Sequence, residues 1–252
     1  MKIVIVGAGY VGLVSGVCFA DFGHEIICVE KDPQKLEMLG RGEVPIYEPG
    51  LDDLLAKNID AGRIQFTNDL AGAMTDTEAV FIAVGTPSRR GDGHADLTYV
   101  FQTAEEIADA MHPGIVVVTK STVPVGTNRK VADIIRERRP DVEFHSASNP
   151  EFLREGSAIE DFMRPDRVVI GVESAQAEEV LRRIYRPLNL RKTPILATDL
   201  ETAEIIKYAA NAFLATKITF INEIADLCEN TGGDVQLVAN GIGLHYMAAR
   251  VP

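Results

Sequence analysis

Three glycines near the start of the chain are spaced to receive a phosphate. Gly7, Gly9 and Gly12 form G-x-G-x-x-G in "MKIVIVGAGYVGLVSG", straight after a run of Ile and Val. The pattern carries meaning only where a strand precedes it and a helix follows, and both flanks fit here. Gly7 permits the tight turn, Gly9 lets the backbone approach a pyrophosphate, and Gly12 lets helix and strand pack closely. The helix N-terminus then turns free N–H groups on the phosphates. Glu30, eighteen residues past Gly12, ends the second strand. A carboxylate there accepts hydrogen bonds from both ribose hydroxyls and repels a 2′-phosphate, which favours NAD over NADP. Lys35 on the next helix is either a phosphate or ribose contact or part of a solvated helix face.

Three further strand ends carry reactive types. In "VFIAVGTPS", Gly85 allows close backbone approach and the Thr86 hydroxyl suits a cofactor ribose or phosphate; the bland alternative is a turn stopped by Pro87. In "IVVVTKSTVPVGT", Ser121 and Thr122 leave a strand where the nicotinamide end belongs. Pro124 and Gly126 stiffen the loop, and Thr127 is the expected N-cap of the next helix. Taken alone, Thr122 is a satisfied loop hydroxyl. In "SNPEFLREGS", Asn149 as N-cap and Pro150 at the first helical position start a helical turn, so Glu151 and Glu155 share one face. The two acids either suit the helix dipole, or one of them holds a water or takes a proton as a hydride leaves. Lys207 and Asn211 are also four apart, amid Ile205, Ile206, Ala209, Ala210 and Phe213. The lysine either snorkels to water or is a cation that stabilises oxyanion charge, with Asn211 anchoring the same ligand.

Short β-branched runs position these groups. Strands are expected at Ile3–Val6, Glu25–Val29, Ile64–Thr67, Ala79–Val84, Ile115–Thr119, Glu143–Ser146, Val168–Val172 and Ile195–Ala197. Helices Tyr10–Phe22 and Pro33–Leu39 and further helical stretches fall between them. This alternation predicts an α/β fold: a Rossmann-type, doubly wound, mostly parallel sheet with ligands at the carboxyl ends of its strands. From about Asp199 one long helix follows, closed by Gly232-Gly233 and trailed by a short helix over Val235–Ala239. At roughly 45 Å it is too long for one small sheet. It is apolar nearly all round, so most of it is expected to be buried against a second domain or subunit. The 252 residues allow one large α/β domain plus an appendage. A net charge of -12 without any basic run argues against nucleic acid or an anionic membrane as partner. Three cysteines with no metal-ligand spacing suit a reduced, cytoplasmic protein without a metal. None of His24, His94, His112, His145 and His245 is expected to be catalytic; loop or surface positions are the default.

Together "GAGYVGL", "VPIYEPGL", "AVGTPS", "KSTVPVGT", "NPEFLREGSAIEDFMRPDRVVIG" and "AEIIKYAANAFLATKITFINEIA" resemble the nucleotide-sugar dehydrogenases of the UDP-glucose/GDP-mannose dehydrogenase family, over positions 1 to about 244. The resemblance implies NAD-dependent oxidation of UDP-glucose at C6 to UDP-glucuronate in two hydride transfers, through an aldehyde captured by a cysteine. It assigns Gly7, Gly9, Tyr10, Val11, Gly12, Glu30, Lys35, Thr86, Thr122 and Glu155 to the cofactor. It lays Glu151, Phe152, Leu153, Arg154 and Glu155 along the sugar nucleotide, with Glu151 the base for thioester hydrolysis. Lys207 would stabilise alkoxide and hemiacetal oxygens, joined by Asn211. It implies an NAD-binding domain over 1–199 and a central dimerisation region over 200–252, giving a homodimer through the long helix. One departure stands out. The family's nucleophilic cysteine lies in a glycine-rich loop beyond the long helix, and none of Cys18, Cys28 and Cys228 matches it. The family's second, UDP-binding domain is missing too, and the tail "LHYMAARVP" leaves the pattern. The expectation is an N-terminal part, made by truncation or a frame change, that binds NAD without making UDP-glucuronate. Alternatives are a dehydrogenase of GDP-mannose or a UDP-N-acetyl sugar, and a non-catalytic NAD-binding module.

Overall fold

Eight strands form one sheet in the computed structural model, which describes residues 1–243, with 189–191 in backbone only. They are β1 (Lys2–Val6), β2 (Glu25–Val29), β3 (Ile64–Thr67), β4 (Ala79–Ile82), β5 (Ile115–Thr119), β6 (Phe144–Ser148), β7 (Val168–Val172) and β8 (Ile195–Thr198). Their order is β3-β2-β1-β4-β5-β6-β7-β8, and every pairing is parallel except β6 with β7. β4 and β5 are buried at every position. A strand covered on both faces needs no polar alternation, which is why these segments read as continuous Val/Ile runs. β4 stops two residues short of the expected Val84, and β6 runs on to Ser148.

The helices are α1 (Tyr10–Asp21), α2 (Pro33–Gly40), α3 (Leu51–Asp60), α4 (Leu70–Ala73), α5 (Thr98–Ala110), α6 (Thr127–Arg138), α7 (Ala158–Met163), α8 (Ala175–Ile184), α9 (Leu200–Thr231) and α10 (Val235–Gly243). Two apolar layers flank the sheet. One gathers Leu13, Val17, Phe19, Leu51, Phe162 and Leu181 from α1, α3, α7 and α8. The other gathers Val100, Ile107, Val131 and Ile135 from α5 and α6. Phe19 centres the first layer, with the rings of Phe162, Phe81 and Tyr185 at 5.0, 5.4 and 5.4 Å. The chain order reverses at β1, which lies between β2 and β4, so a crevice opens outside the carboxyl ends of β1 and β4.

The chain divides into two compact units, Met1–Lys207 and Tyr208–Pro252. In the second unit, the turn closing α9 has Gly232 at φ +79°, and the Gly232 and Gly233 N–H groups donate to the Cys228 carbonyl. The cover expected for α9 is a second domain or subunit, and in the chain by itself the helix presents an apolar surface. Phe213, Leu214, Ile218, Phe220 and Leu227 are each at least 50% exposed. One helix and a short companion hold too little apolar surface to build a core, so cover for this stripe has to come from outside the unit. Residues 244–252 lie outside the described residues, and with them His245 and the divergent tail. One histidine, His145, departs from the loop-or-surface default, while His24 keeps a loop position but is buried. His24 has Nε2 2.9 Å from the Ile184 carbonyl, and His145 sits half-buried within β6. Among the described residues, no helix is long and apolar enough to cross a membrane and no His/Cys/Asp/Glu group is placed to hold a metal.

Candidate functional site

The glycine loop is shaped by backbone demands. Gly7 sits at φ +102°, and a Cβ built there would stand 2.7 Å from the Ala83 carbonyl oxygen. A Cβ on Gly12 would meet the Gly7 carbonyl oxygen at 1.8 Å. Nothing lies within 4 Å of a Cβ on Gly9, so the space over it is open. Gly9 caps α1 without any side-chain cap, which leaves the first-turn N–H groups of Tyr10 and Val11 turned to that space. Glu30 at the end of β2 closes the loop. Its Oε2 accepts from the Ala8 N–H at 3.1 Å, and its Oε1 accepts from Lys31 and Asp32 at 2.8 and 2.9 Å. Oε2 keeps a free acceptor position for a ribose hydroxyl. Asp32 caps α2, and Lys35 extends from its first turn with no hydrogen bond or ion pair to its ammonium among the described residues. An open cradle, bare amides and a tethered acid fit a dinucleotide.

The ends of β4 and β5 meet beside that loop. The Thr86 hydroxyl donates to the Thr122 carbonyl at 3.0 Å, and Ser121 donates to the Val84 carbonyl at 2.7 Å. Thr127 is not the N-cap of α6. Gly126, at φ +88°, holds that position, while the Thr127 hydroxyl donates back to Pro124. The capping acceptor comes from far away in the sequence. The buried Glu204 carboxylate takes the Gly126 N–H at 2.6 Å, and the Asn128 N–H and Nδ2 at 2.9 and 2.7 Å.

The segment after β6 also departs from expectation. Residues 150–154 form an irregular strap rather than a helical turn, and α7 begins only at Ala158. Glu151 and Glu155 therefore do not share a helix face. Asn149 is no cap: it is buried, its Oδ1 accepts from Tyr185 at 2.6 Å and Lys120 Nζ at 3.1 Å, and its Nδ2 donates to the Val169 carbonyl at 2.9 Å. Pro150 biases Asn149 toward an extended backbone, and these buried partners use its side chain better than a cap would. Glu151 Oε2 accepts from the Leu153 N–H, and its Oε1 lies 2.9 Å from Lys207 Nζ. Both side chains are nearly buried, at 11% and 7% exposure. Lys207 lies 5.3 Å and Arg167 4.1 Å from the Phe152 ring centre. The Arg154 guanidinium faces Asp161, which holds that carboxyl below its ordinary range. Glu155 is exposed. Asn211 belongs to the second unit and is exposed.

Lys120 is a second buried lysine at this end of the sheet. Burial pushes its ammonium down to about 8; the Glu151 charge opposes this and the Lys207 charge adds to it. In the unfolded chain the same group titrates near its ordinary value, about 10.4. Below about pH 8 both states carry the proton and the contribution is constant. Between the two values the unfolded chain holds more protons, so this group adds stability as pH rises. The unfolding free energy of the wild type minus that of Lys120→Met is expected to climb by up to about 1.4 kcal/mol per pH unit from pH 8 to 10. Denaturant titrations that give a flat difference across that window would refute this.

Comparison with known proteins agrees with the geometry. Residues 1–189 match the UDP-glucose/GDP-mannose dehydrogenase family, NAD binding domain, and residues 201–250 match its central domain. The chain belongs to the UDP-glucose/GDP-mannose dehydrogenase family. A UDP-glucose 6-dehydrogenase of Rhizobium meliloti (strain 1021) is 62% identical over 246 residues, covering 97% of this chain and 56% of that protein. A GDP-mannose dehydrogenase from Pseudomonas aeruginosa, solved as a ternary complex, superposes with a TM-score of 0.92 at 38% identity, covering 98% of this chain and 57% of that one. A UDP-glucose dehydrogenase from the archaeon Pyrobaculum islandicum gives 0.90 at 42% identity, covering 96% and 56%. The chain spans about half the length of the relatives it matches.

Sequence reasoning passed over three buried charges: Lys120 and Glu48 in the stretch that matches the NAD-binding domain, and Glu204 in α9. Lys120 had a legible signal, since a lysine closing the all-apolar run IVVVT is hard to keep in water. Glu48 lies in the quoted motif "VPIYEPGL", but nothing local marks it as buried. Cys18 and Cys28 are packed in the core, where burial raises both thiols, Cys28 to about 12; Cys228 is buried as well.

Proposed function

We propose that this chain is the dinucleotide-binding part of an NAD-dependent UDP-glucose 6-dehydrogenase, and that it also supplies part of the sugar-nucleotide site. One observation carries this: the buried Lys207–Glu151 pair stands at the carboxyl end of the same sheet as the glycine loop. The 62% identity to a UDP-glucose 6-dehydrogenase favours UDP-glucose over GDP-mannose, given 38% to a GDP-mannose dehydrogenase. NAD, when bound, is the hydride acceptor. Gly9, Tyr10 and Val11 offer backbone amides to its pyrophosphate, Glu30 takes a ribose hydroxyl, and Lys35, Thr86 and Thr122 border the path toward the nicotinamide. The strap from Glu151 to Glu155 lies along the sugar nucleotide. Lys207 holds developing negative charge on the C6 oxygen, where a fixed cation in a dry site acts strongly. Glu151 accepts a proton or orients a water. All three cysteines are buried, so these residues supply no thiol to trap an aldehyde.

The domain over 1–199 carries the cofactor and 200–252 the dimer contact, with the exposed apolar stripe of α9 covered by a second copy. Free, buried cysteines suit the reducing cytoplasm. Calorimetry of the purified chain is expected to give NAD binding with NADP at least about tenfold weaker, because Glu30 repels a 2′-phosphate. NADH absorbance with NAD and UDP-glucose is expected to show no sustained turnover. Absence of NAD binding defeats the cofactor assignment. Continued UDP-glucuronate formation defeats the view that the chain is only part of the catalyst.

A further inference from the structure

The motif "VPIYEPGL" delivers a carboxylate that the cofactor site leaves unused. Glu48 is 4% exposed, and its partners are neutral donors. Its Oε1 accepts from the N–H groups of Ala158 at 2.9 Å and Ile159 at 3.4 Å. Its Oε2 accepts from the Gly156 N–H at 2.9 Å and the Tyr10 hydroxyl at 2.5 Å. Ser157, at the local cap position of α7, makes no side-chain cap bond. Glu48 therefore satisfies the orphan donors at the start of α7 from more than a hundred residues away.

Tyr10 is the first residue of α1, directly after Gly9. Besides donating to Glu48, its hydroxyl accepts from the Gly156 N–H at 3.3 Å and lies 3.4 Å from the Arg154 carbonyl oxygen. A side chain of the glycine loop thus grips the far end of the strap. Burial and the charges of Glu48 and Glu155 raise the phenol well above its ordinary range, so it stays a donor. Family resemblance gives Tyr10 to the cofactor, yet its hydroxyl is turned to the strap.

We propose that Tyr10 and Glu48 are positioning residues that fasten the 151–157 strap to the glycine loop, so that a ligand filling the loop further restrains a strap that is already closed. This rests on the reading that the loop takes NAD and the strap lies along the sugar nucleotide. A pyrophosphate on the first-turn amides immobilises the Tyr10 backbone, and the ring passes that constraint through Glu48 to the strap amide of Gly156 and the α7 amides of Ala158 and Ile159. The closed strap dominates with and without NAD. Loosening the tether therefore changes how often the strap opens and leaves NAD affinity nearly untouched.

Hydrogen exchange at Gly156, Ala158 and Ile159, read with NAD calorimetry on the whole chain, tests this. In the wild type, NAD is expected to slow exchange at these amides. Tyr10→Phe keeps the ring and removes the hydroxyl. It is expected to exchange about tenfold faster without NAD, the size of one lost hydrogen bond. NAD should no longer slow it, while the NAD Kd stays within about threefold of wild type because the closed strap still dominates. Glu48→Gln, which sets an amide NH2 against backbone donors, is expected to move in the same direction and further. If it does not fold, Tyr10→Phe decides alone. Wild-type exchange in Tyr10→Phe, retained slowing by NAD, or weakened NAD binding with an unchanged strap each overturn the proposal. A wild type that fails to bind NAD overturns the cofactor reading instead, and the exchange of Tyr10→Phe without NAD still decides whether the hydroxyl holds the strap.

Discussion

Gly12→Ala is expected to abolish NAD binding and to cost about 1–3 kcal/mol of stability, the usual range for forced overpacking. The added Cβ would stand 1.8 Å from the Gly7 carbonyl oxygen and 3.2 Å from the Ala83 Cβ. Neither neighbour is the tip of a flexible side chain, so backbone has to move. Gly7 cannot yield easily: its φ of +102° leaves few alternatives, its N–H is bonded to Val29, and Ala83 blocks its other side. The strain passes into Ala8 and its bond to Glu30, which is the frame of the proposed pyrophosphate site. Gly9→Ala is the internal control. Its backbone is extended and nothing lies within 4 Å of its Cβ, so stability should change by less than about 1 kcal/mol while the methyl occupies ligand space. Thermal unfolding with NAD calorimetry separates the two. A Gly12→Ala chain that folds and binds NAD like the wild type defeats the close-packing account.

The contrast between those glycines shows what local sequence can carry. The glycine turn and the sheet were legible because the central strands β4 and β5 bury both faces and the glycine turn needs a special φ, and both demands act over a few residues. The strap was misread because its local signal was outweighed. Asn-Pro followed by acids does favour a helix start, but Asn149 finds Lys120, Tyr185 and the Val169 carbonyl, each at least twenty residues away. Thr127 lost its cap role in the same way, to Glu204 from α9. The apolar composition of α9 gave the helix itself but not what covers it. Periodicity tells which positions want burial, while the covering surface lies elsewhere. Lys207 stood between two readings for the same reason: the carboxylate that pairs with it lies 56 positions earlier in the chain.

That pair sets the second large effect. Lys207→Met removes an ammonium 2.9 Å from Glu151 Oε1 and leaves a carboxylate at 11% exposure with the Leu153 N–H as its remaining hydrogen bond. Breaking a buried pair from one side costs about 3–5 kcal/mol, chiefly because the surviving charge is stranded. The low end applies here, since Glu151 keeps some water. Lys120 also offsets part of the loss, because the Lys207 charge no longer holds its ammonium down. Lys207→Met with Glu151→Gln strands no charge and is expected to recover most of the stability of the single variant. Catalysis should separate from folding at this point. In an assembly that oxidises the nucleotide sugar, both variants lose the cation proposed to face the C6 oxygen, and kcat is expected to fall about 10²–10³-fold in each. Denaturant unfolding of the two variants measures the first claim, and single-turnover NADH formation measures the second. Equal destabilisation of the single and double variants defeats the stranded-charge account. A double variant that recovers both stability and rate defeats the assignment of Lys207 to the reacting oxygen and leaves it a structural cation.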